Sequence, residues 1–114
     1  MLGSVLSLRR ILNSVVVNLL VHIYLRGSVR HRDLARLVSS RSSLSLALNS
    51  LLNEGLVTRE VNTQRFPPQT YYSVTERGKE VAARLEEIRE IMEIYKLSFS
   101  PTFEAQKRRE NLRS

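Results

Sequence analysis

From about Val5 to Arg26, the apolar residues Leu8, Ile11, Leu12, Val15, Val16, Leu19, Leu20 and Ile23 recur at steps of three and four. That is the period of an α-helix, and it predicts one continuous helix closed by Gly27. A second apolar set on the same stretch, Val17, Val21 and Tyr24, points away from the first. Two faces of this helix therefore seek cover, either inside one core or against a second subunit. Ser28-Val29-Arg30 is long enough for a connector or a one-rung strand. His31–Val38 reads as a short helix with Leu34, Leu37 and Val38 inward. The run Ser39-Ser40-Arg41-Ser42-Ser43 is rich in side chains that accept a hydrogen bond from the free N–H groups at a helix start, so a turn and a new helix belong there. Leu44, Leu48, Leu51 and Leu52 stripe that helix, and Gly55 closes it.

Leu56–Val61 and Thr70–Val74 are β-branched or aromatic runs, separated by the polar segment Asn62–Gln69 with two adjacent prolines. They predict a long β-hairpin. Thr75 then caps a final helix to about Leu97, in which Val81, Leu85, Ile88, Met92 and Tyr95 repeat at four-three-four-three spacing, a seam suited to helix–helix packing. Ser100-Pro101 reads as a further cap followed by proline at a first helical position, leading either a short basic tail helix to about Arg113 or a disordered tail. Residues 1–97 thus form one domain and 98–114 a basic tail. The order of helix, short helix, serine-rich turn, helix, hairpin and long helix is that of an α+β, mostly α, winged helix-turn-helix.

Charge narrows the partner. The 114-residue chain carries a net +7, with fifteen arginines to three lysines, and residues 1–55 hold seven arginines against only Asp33 and Glu54. Such a balance attracts polyanions, nucleic acid first. A membrane is disfavoured: no lysine cluster adjoins a lipid-anchor motif, and the apolar run Ile11–Leu25 is short and interrupted by Asn13, Ser14, Asn18 and His22. The absence of cysteine removes disulfides, thiolate metal sites and thiol redox sensing, and fits a cytoplasmic, nucleoid-associated location. An enzyme is poorly supported, because the two histidines are far apart and no nucleophile, base and ligand set assembles. No cofactor or metal is expected. His22 reads as a packing or interface residue, and His31 as a phosphate contact or an exposed side chain. The carboxylates Glu76, Glu80, Glu86, Glu87, Glu90 and Glu93 alternate with Arg77, Arg84 and Arg89 and read as ion pairs on the helix surface.

On a helical wheel of residues 42–53, Leu44, Leu48 and Leu51 share one face, while Ser42, Leu46, Asn49 and Asn53 lie opposite, flanked by Ser45 and Ser50. Alone, such a face is an ordinary solvated surface. Its surroundings change the reading, since Arg30, Arg32, Arg36 and Arg41 bracket the turn, and Arg59, Gln64 and Arg65 lie on or near the hairpin. Arginines there suit phosphates, with Arg65 near the wing tip placed for a minor groove. Asn49 suits an adenine edge and Leu46 a thymine methyl.

The leucines before Gly55-Leu56-Val57-Thr58-Arg59, followed by Pro67-Pro68-Gln69-Thr70-Tyr71-Tyr72-Ser73-Val74-Thr75-Glu76-Arg77-Gly78-Lys79, resemble the HxlR-type winged-helix regulators of the wider MarR-like group. The resemblance spans about Gly27 to Leu85. It implies a homodimer built from the first and last helices that binds inverted-repeat double-stranded DNA, with Ser42–Asn53 as recognition helix and Asn62–Gln69 as wing. The interface would then comprise Val17, Val21, Tyr24, Val81, Leu85, Ile88, Met92 and Tyr95. Two departures stand out: the N-terminal region lacks the cysteine through which some relatives sense oxidants or aldehydes, and the first helix lacks the expected tryptophan. The rival readings are an architectural nucleoid protein with little sequence preference and a winged helix that binds protein, the latter opposed by the basic balance. The residues name no small-molecule effector.

Overall fold

In the computed structural model, residues 7–98 are described, with side chains described through residue 94. Helices α1 (Leu8–Leu12) and α2 (Val15–Arg26) lead into strand β1 (Ser28–Arg30), then helices α3 (His31–Leu37) and α4 (Arg41–Asn53). Strands β2 (Val57–Asn62) and β3 (Gln69–Val74) follow, and the long helix α5 (Glu76–Ser98) ends the described chain. The expected tail helix lies outside the described residues.

The single helix expected from Val5 to Arg26 is two helices. Asn13 closes α1, its side-chain amide donating to the Arg9 carbonyl at 3.0 Å, and Ser14 opens α2 by accepting from the Val17 N–H at 3.4 Å. Two short polar side chains in succession offer the backbone local partners, and the helix breaks although the apolar period runs on. Gly27, at φ +89°, closes α2.

Ser28-Val29-Arg30 is a full member of the sheet. It pairs antiparallel with β3, Val29 opposite Tyr72, and the strand order is β1-β3-β2. Within α3, Leu34 is fully buried, but Leu37, expected inward, is 56% exposed. A seven-residue helix presents one narrow face to the core, and Val38 beyond its end takes the inward place in half-buried form. Ser40 caps α4, its hydroxyl accepting from the Ser43 N–H at 3.2 Å. Leu44, Ala47, Leu48 and Leu51 then meet Leu19, Leu20 and Ile23 of α2, with Val29, Leu34, Val57, Tyr72 and Ala82 completing one core. Each of these larger side chains contributes about 1.5–3 kcal/mol on burial.

Helix α2 lies between α4 and α5, so both of its apolar faces are covered within the chain. Val21 is 3% exposed, and Val17 and Tyr24 are half-buried. The face that α5 turns inward is Gly78, Ala82 and Leu85; Val81 and Ile88 are 37% and 40% exposed. The expected seam is therefore divided, with Leu85 facing the core and Val81 and Ile88 on the outer flank. Met92 is half-buried.

A compact junction ties α4 to the start of α5. The Thr75 hydroxyl donates to the Gly55 carbonyl at 2.6 Å and accepts from the Gly78 N–H at 3.0 Å. The Thr75 N–H donates to the Leu56 carbonyl at 3.0 Å, and Arg77 donates to the Glu54 carbonyl at 3.1 Å. At the other end, Arg89 donates twice to the Leu12 carbonyl, at 2.7 and 3.1 Å, and also to the Asn18 side chain. Of the arginines expected in surface ion pairs, Arg84 meets Glu87 at 3.4 Å, whereas Arg77 and Arg89 bond backbone carbonyls of other elements.

Candidate nucleic-acid interface

Helix α4 is buried along Leu44, Ala47, Leu48 and Leu51, and its 100° step per residue leaves Ser42, Ser45, Leu46, Asn49 and Asn53 in solvent. Leu46 is 72% exposed. Ser42 and Asn53 stand roughly 16 Å apart along the axis. Ser42, Ser45, Leu46 and Asn49 lie in the first three turns of the helix and Asn53 at its C-terminal end.

The sheet brings Arg59 to the first three turns of α4. Arg59 pairs across the ladder with Tyr72, and the two residues, with His31, Ser45, Asn49 and Thr70, line a cleft of about 320 Å³ between α4 and the hairpin. His31 leans on Tyr72, their ring centroids 5.9 Å apart and His31 Nδ1 at 3.4 Å from the phenolic oxygen. Burial raises the Tyr72 pKa above its ordinary 10.0, an effect partly offset by the Arg59 guanidinium. A second cleft, of about 380 Å³, is lined by Arg30, His31 and Arg32 on one side and Pro67, Pro68, Gln69 and Thr70 on the other. Arg30 and Arg32 thus sit at the base of the wing and Arg41 at the first position of α4, while Arg36 turns to Asp33 at 3.7 Å.

The tip of the hairpin stands apart from these clefts. Asn62 accepts from the Gln64 N–H at 3.0 Å, and the Tyr71 hydroxyl donates to Gln69 at 2.7 Å, ordering both sides of the loop. Gln64 and Arg65 are exposed there, and Phe66 beside them is 99% exposed. Sequence reasoning missed Phe66, Thr70 and the His31–Tyr72 contact. Phe66 was visible as an aromatic inside a polar loop; the contact joins residues 41 positions apart and leaves no local signal.

Among the described residues, no group of histidine and acidic side chains is placed to hold a metal ion. No described helix is long and apolar enough to cross a membrane. On α1 and α5, large apolar side chains face solvent: Leu8 and Ile11 at 54% and 51%, and Ile88 and Ile91 at 40% and 52%. The Tyr95 side chain, expected at this surface, lies outside the described residues.

Residues 11–98 match the HxlR-like helix-turn-helix family. The chain belongs to that family. Membership makes this HxlR-like protein a DNA-binding transcriptional regulator of winged helix-turn-helix fold, not an enzyme. Among solved structures, it is similar to the transcriptional regulator YtfH of Salmonella typhimurium, at 26% identity and TM-score 0.61, covering 81% of this chain and 79% of that one. It is also similar to the redox regulator HypR in its oxidised form, at 29% identity and TM-score 0.60, covering 68% and 79%. A MarR-family transcriptional regulator of Porphyromonas gingivalis W83 aligns at 26% identity and TM-score 0.56, covering 65% and 74%. No curated protein matches the chain.

Proposed function

We propose that this HxlR-like protein is a homodimeric, sequence-specific regulator that sets α4 in the major groove of duplex DNA, with its wing along the neighbouring backbone and minor groove. The observation that carries the reading is the exposed face on the first three turns of α4. Ser42, Ser45, Leu46 and Asn49 are exposed on a helix held from behind by buried leucines, with Arg41 at its start and Arg59 on the adjacent strand. The arginines supply charge to phosphates, and Asn49 and Leu46 supply the base-edge contacts. The dimer is formed through the apolar surface of α1 and α5, Leu8 and Ile11 with Ile88 and Ile91, more than through Val17, Val21 and Tyr24 of α2, which its own chain covers. A cytoplasmic, nucleoid-associated location follows from this function.

The test compares Asn49→Ala with Arg65→Ala on a duplex selected by the wild-type protein and on random duplex. Asn49→Ala should cost about 1–3 kcal/mol on the selected site and much less on random DNA. Arg65→Ala should weaken both evenly and lower the salt slope by about one unit. Equal losses on both duplexes for Asn49→Ala would reduce α4 to a phosphate grip and favour the architectural reading.

A further inference from the structure

Single exposed apolar side chains are common on protein surfaces, so the exposure of Phe66 alone decides nothing. Its setting does. Among the described residues, the other large apolar side chains that face solvent reach at most 72% exposure and sit on helices or a strand, whereas Phe66, at 99%, sits in the hairpin loop between β2 and β3. None of the described residues covers the ring. Pro67 and Pro68 follow it with restricted backbone torsion, and the Asn62–Gln64 turn bond orders the strand end before it. The backbone on both sides of the ring is therefore restrained, which lowers the entropy the loop loses on binding.

The neighbours of this ring are cationic and polar. Gln64 and Arg65 precede it, and Arg30 and Arg32 line the cleft at the base of the same loop. A partner for this tip must offer negative charge around a flat apolar surface. An apolar face of a second protein offers the latter without the former, and one ring is too little to anchor a lipid surface. A base step in a DNA minor groove, walled by phosphates, offers both. Phenylalanine is among the side chains that wedge between base steps from the minor groove and kink the duplex toward the major groove by at least about 20°.

We infer that Phe66 is an apolar wedge, inserted by the wing into the minor groove beside the site that α4 reads, with Arg65 held at the flanking phosphates. This rests on the DNA-binding reading above. A kink toward the major groove closes the duplex around the recognition helix, so the wedge couples wing contact to the fit of α4. Steps that unstack easily, the pyrimidine–purine steps, are favoured under the wing although no hydrogen bond reads them.

The experiment uses the full chain and a duplex that the wild-type protein recovers from a random pool. End-to-end fluorescence transfer reports the bend, and 2-aminopurine placed at the step under the wing reports unstacking. The wild type should bend the duplex and brighten the probe. Phe66→Ala should lose both signals and about ten-fold in affinity, the scale of leaving one aromatic ring partly hydrated. Its salt slope should stay unchanged, because no charge is removed. Phe66→Leu should keep most of the bend. A Phe66→Ala protein that binds and bends as the wild type does overturns the wedge and leaves the DNA-binding reading intact. A wild-type protein that recovers no duplex removes that reading and the wedge together. A change in self-association without DNA would place the ring in a protein contact and also overturn it.

Discussion

Replacing Gly78 with alanine isolates the junction that holds the end of α4. In an unobstructed helix interior this substitution stabilises by about 1 kcal/mol, because alanine is the better helix former. Here a Cβ on residue 78 would lie 1.9 Å from the Leu56 carbonyl oxygen, 2.9 Å from its carbon and 3.3 Å from Val74 Cβ. Ordinary carbon–oxygen contacts begin near 3.3 Å, so the Leu56 backbone or α5 must retreat by roughly 1 Å or more. Leu56 has little freedom to do so: its carbonyl accepts from the Thr75 N–H at 3.0 Å and its own N–H donates to Leu51 at 3.0 Å. Overpacking costs about 1–3 kcal/mol. One or two weakened hydrogen bonds add about 1 kcal/mol each. After subtracting the gain in helix propensity, Gly78→Ala should destabilise by about 1–4 kcal/mol. For a domain of this size that lowers Tm by roughly 5–25 °C. Urea and thermal melts followed by circular dichroism at matched protein concentration measure it. A variant as stable as the wild type, or more stable, would refute the close approach of α5 to the end of α4.

Three further perturbations probe the other elements. Arg89→Met removes the donors to the Leu12 carbonyl and Asn18, so amide exchange across α1 should quicken while that of α4 stays slow; uniform protection in both would show that Arg89 does not hold α1. Ile88→Glu together with Ile91→Glu places charge on an exposed flank of α5, so light scattering should fall to the 13.1 kDa monomer with the fold intact; an unchanged dimer would move the interface elsewhere. The raised Tyr72 pKa means that the native state favours the neutral phenol, so its contribution is complete below pH 10.0 and is lost as pH rises through the folded-state value. Tyr72→Phe should therefore lose less stability than the wild type as pH rises above 10.0, and an equally steep decline would assign the alkaline loss to other groups.

Helix α4 and the hairpin were legible because their signals are local. Leu44, Leu48 and Leu51 mark one face, the serines before them supply the cap, and the paired prolines sit between two β-branched runs. The break at Asn13-Ser14 was hidden, since the apolar period passes through it and the capping side chains act on their own backbone. The inward face of α5 was hidden for a different reason. Gly78 and Ala82 make the closest packing within the chain yet carry almost no hydrophobic signal, so the larger Val81 and Ile88, which stand on the outer flank, dominate the apolar repeat. At the candidate site, the α4 face and the arginines could be read along the chain. The cleft that joins His31, Arg59 and Tyr72 to α4 depends on strand register, which brings residues far apart in sequence side by side. Arg77 and Arg89 show the same limit, because their partners are carbonyls on other elements.

The central claim is that α4 reads sequence and does more than hold phosphates. The direct measurement is the ratio of affinities of the wild-type protein for a duplex selected from a random pool and for a random duplex of equal length, both at about 150 mM salt. The account predicts a ratio of about 10³ or more, the range of specific over non-specific binding. A ratio near one, with tight binding to both, would contradict it and make the protein a general DNA-coating factor.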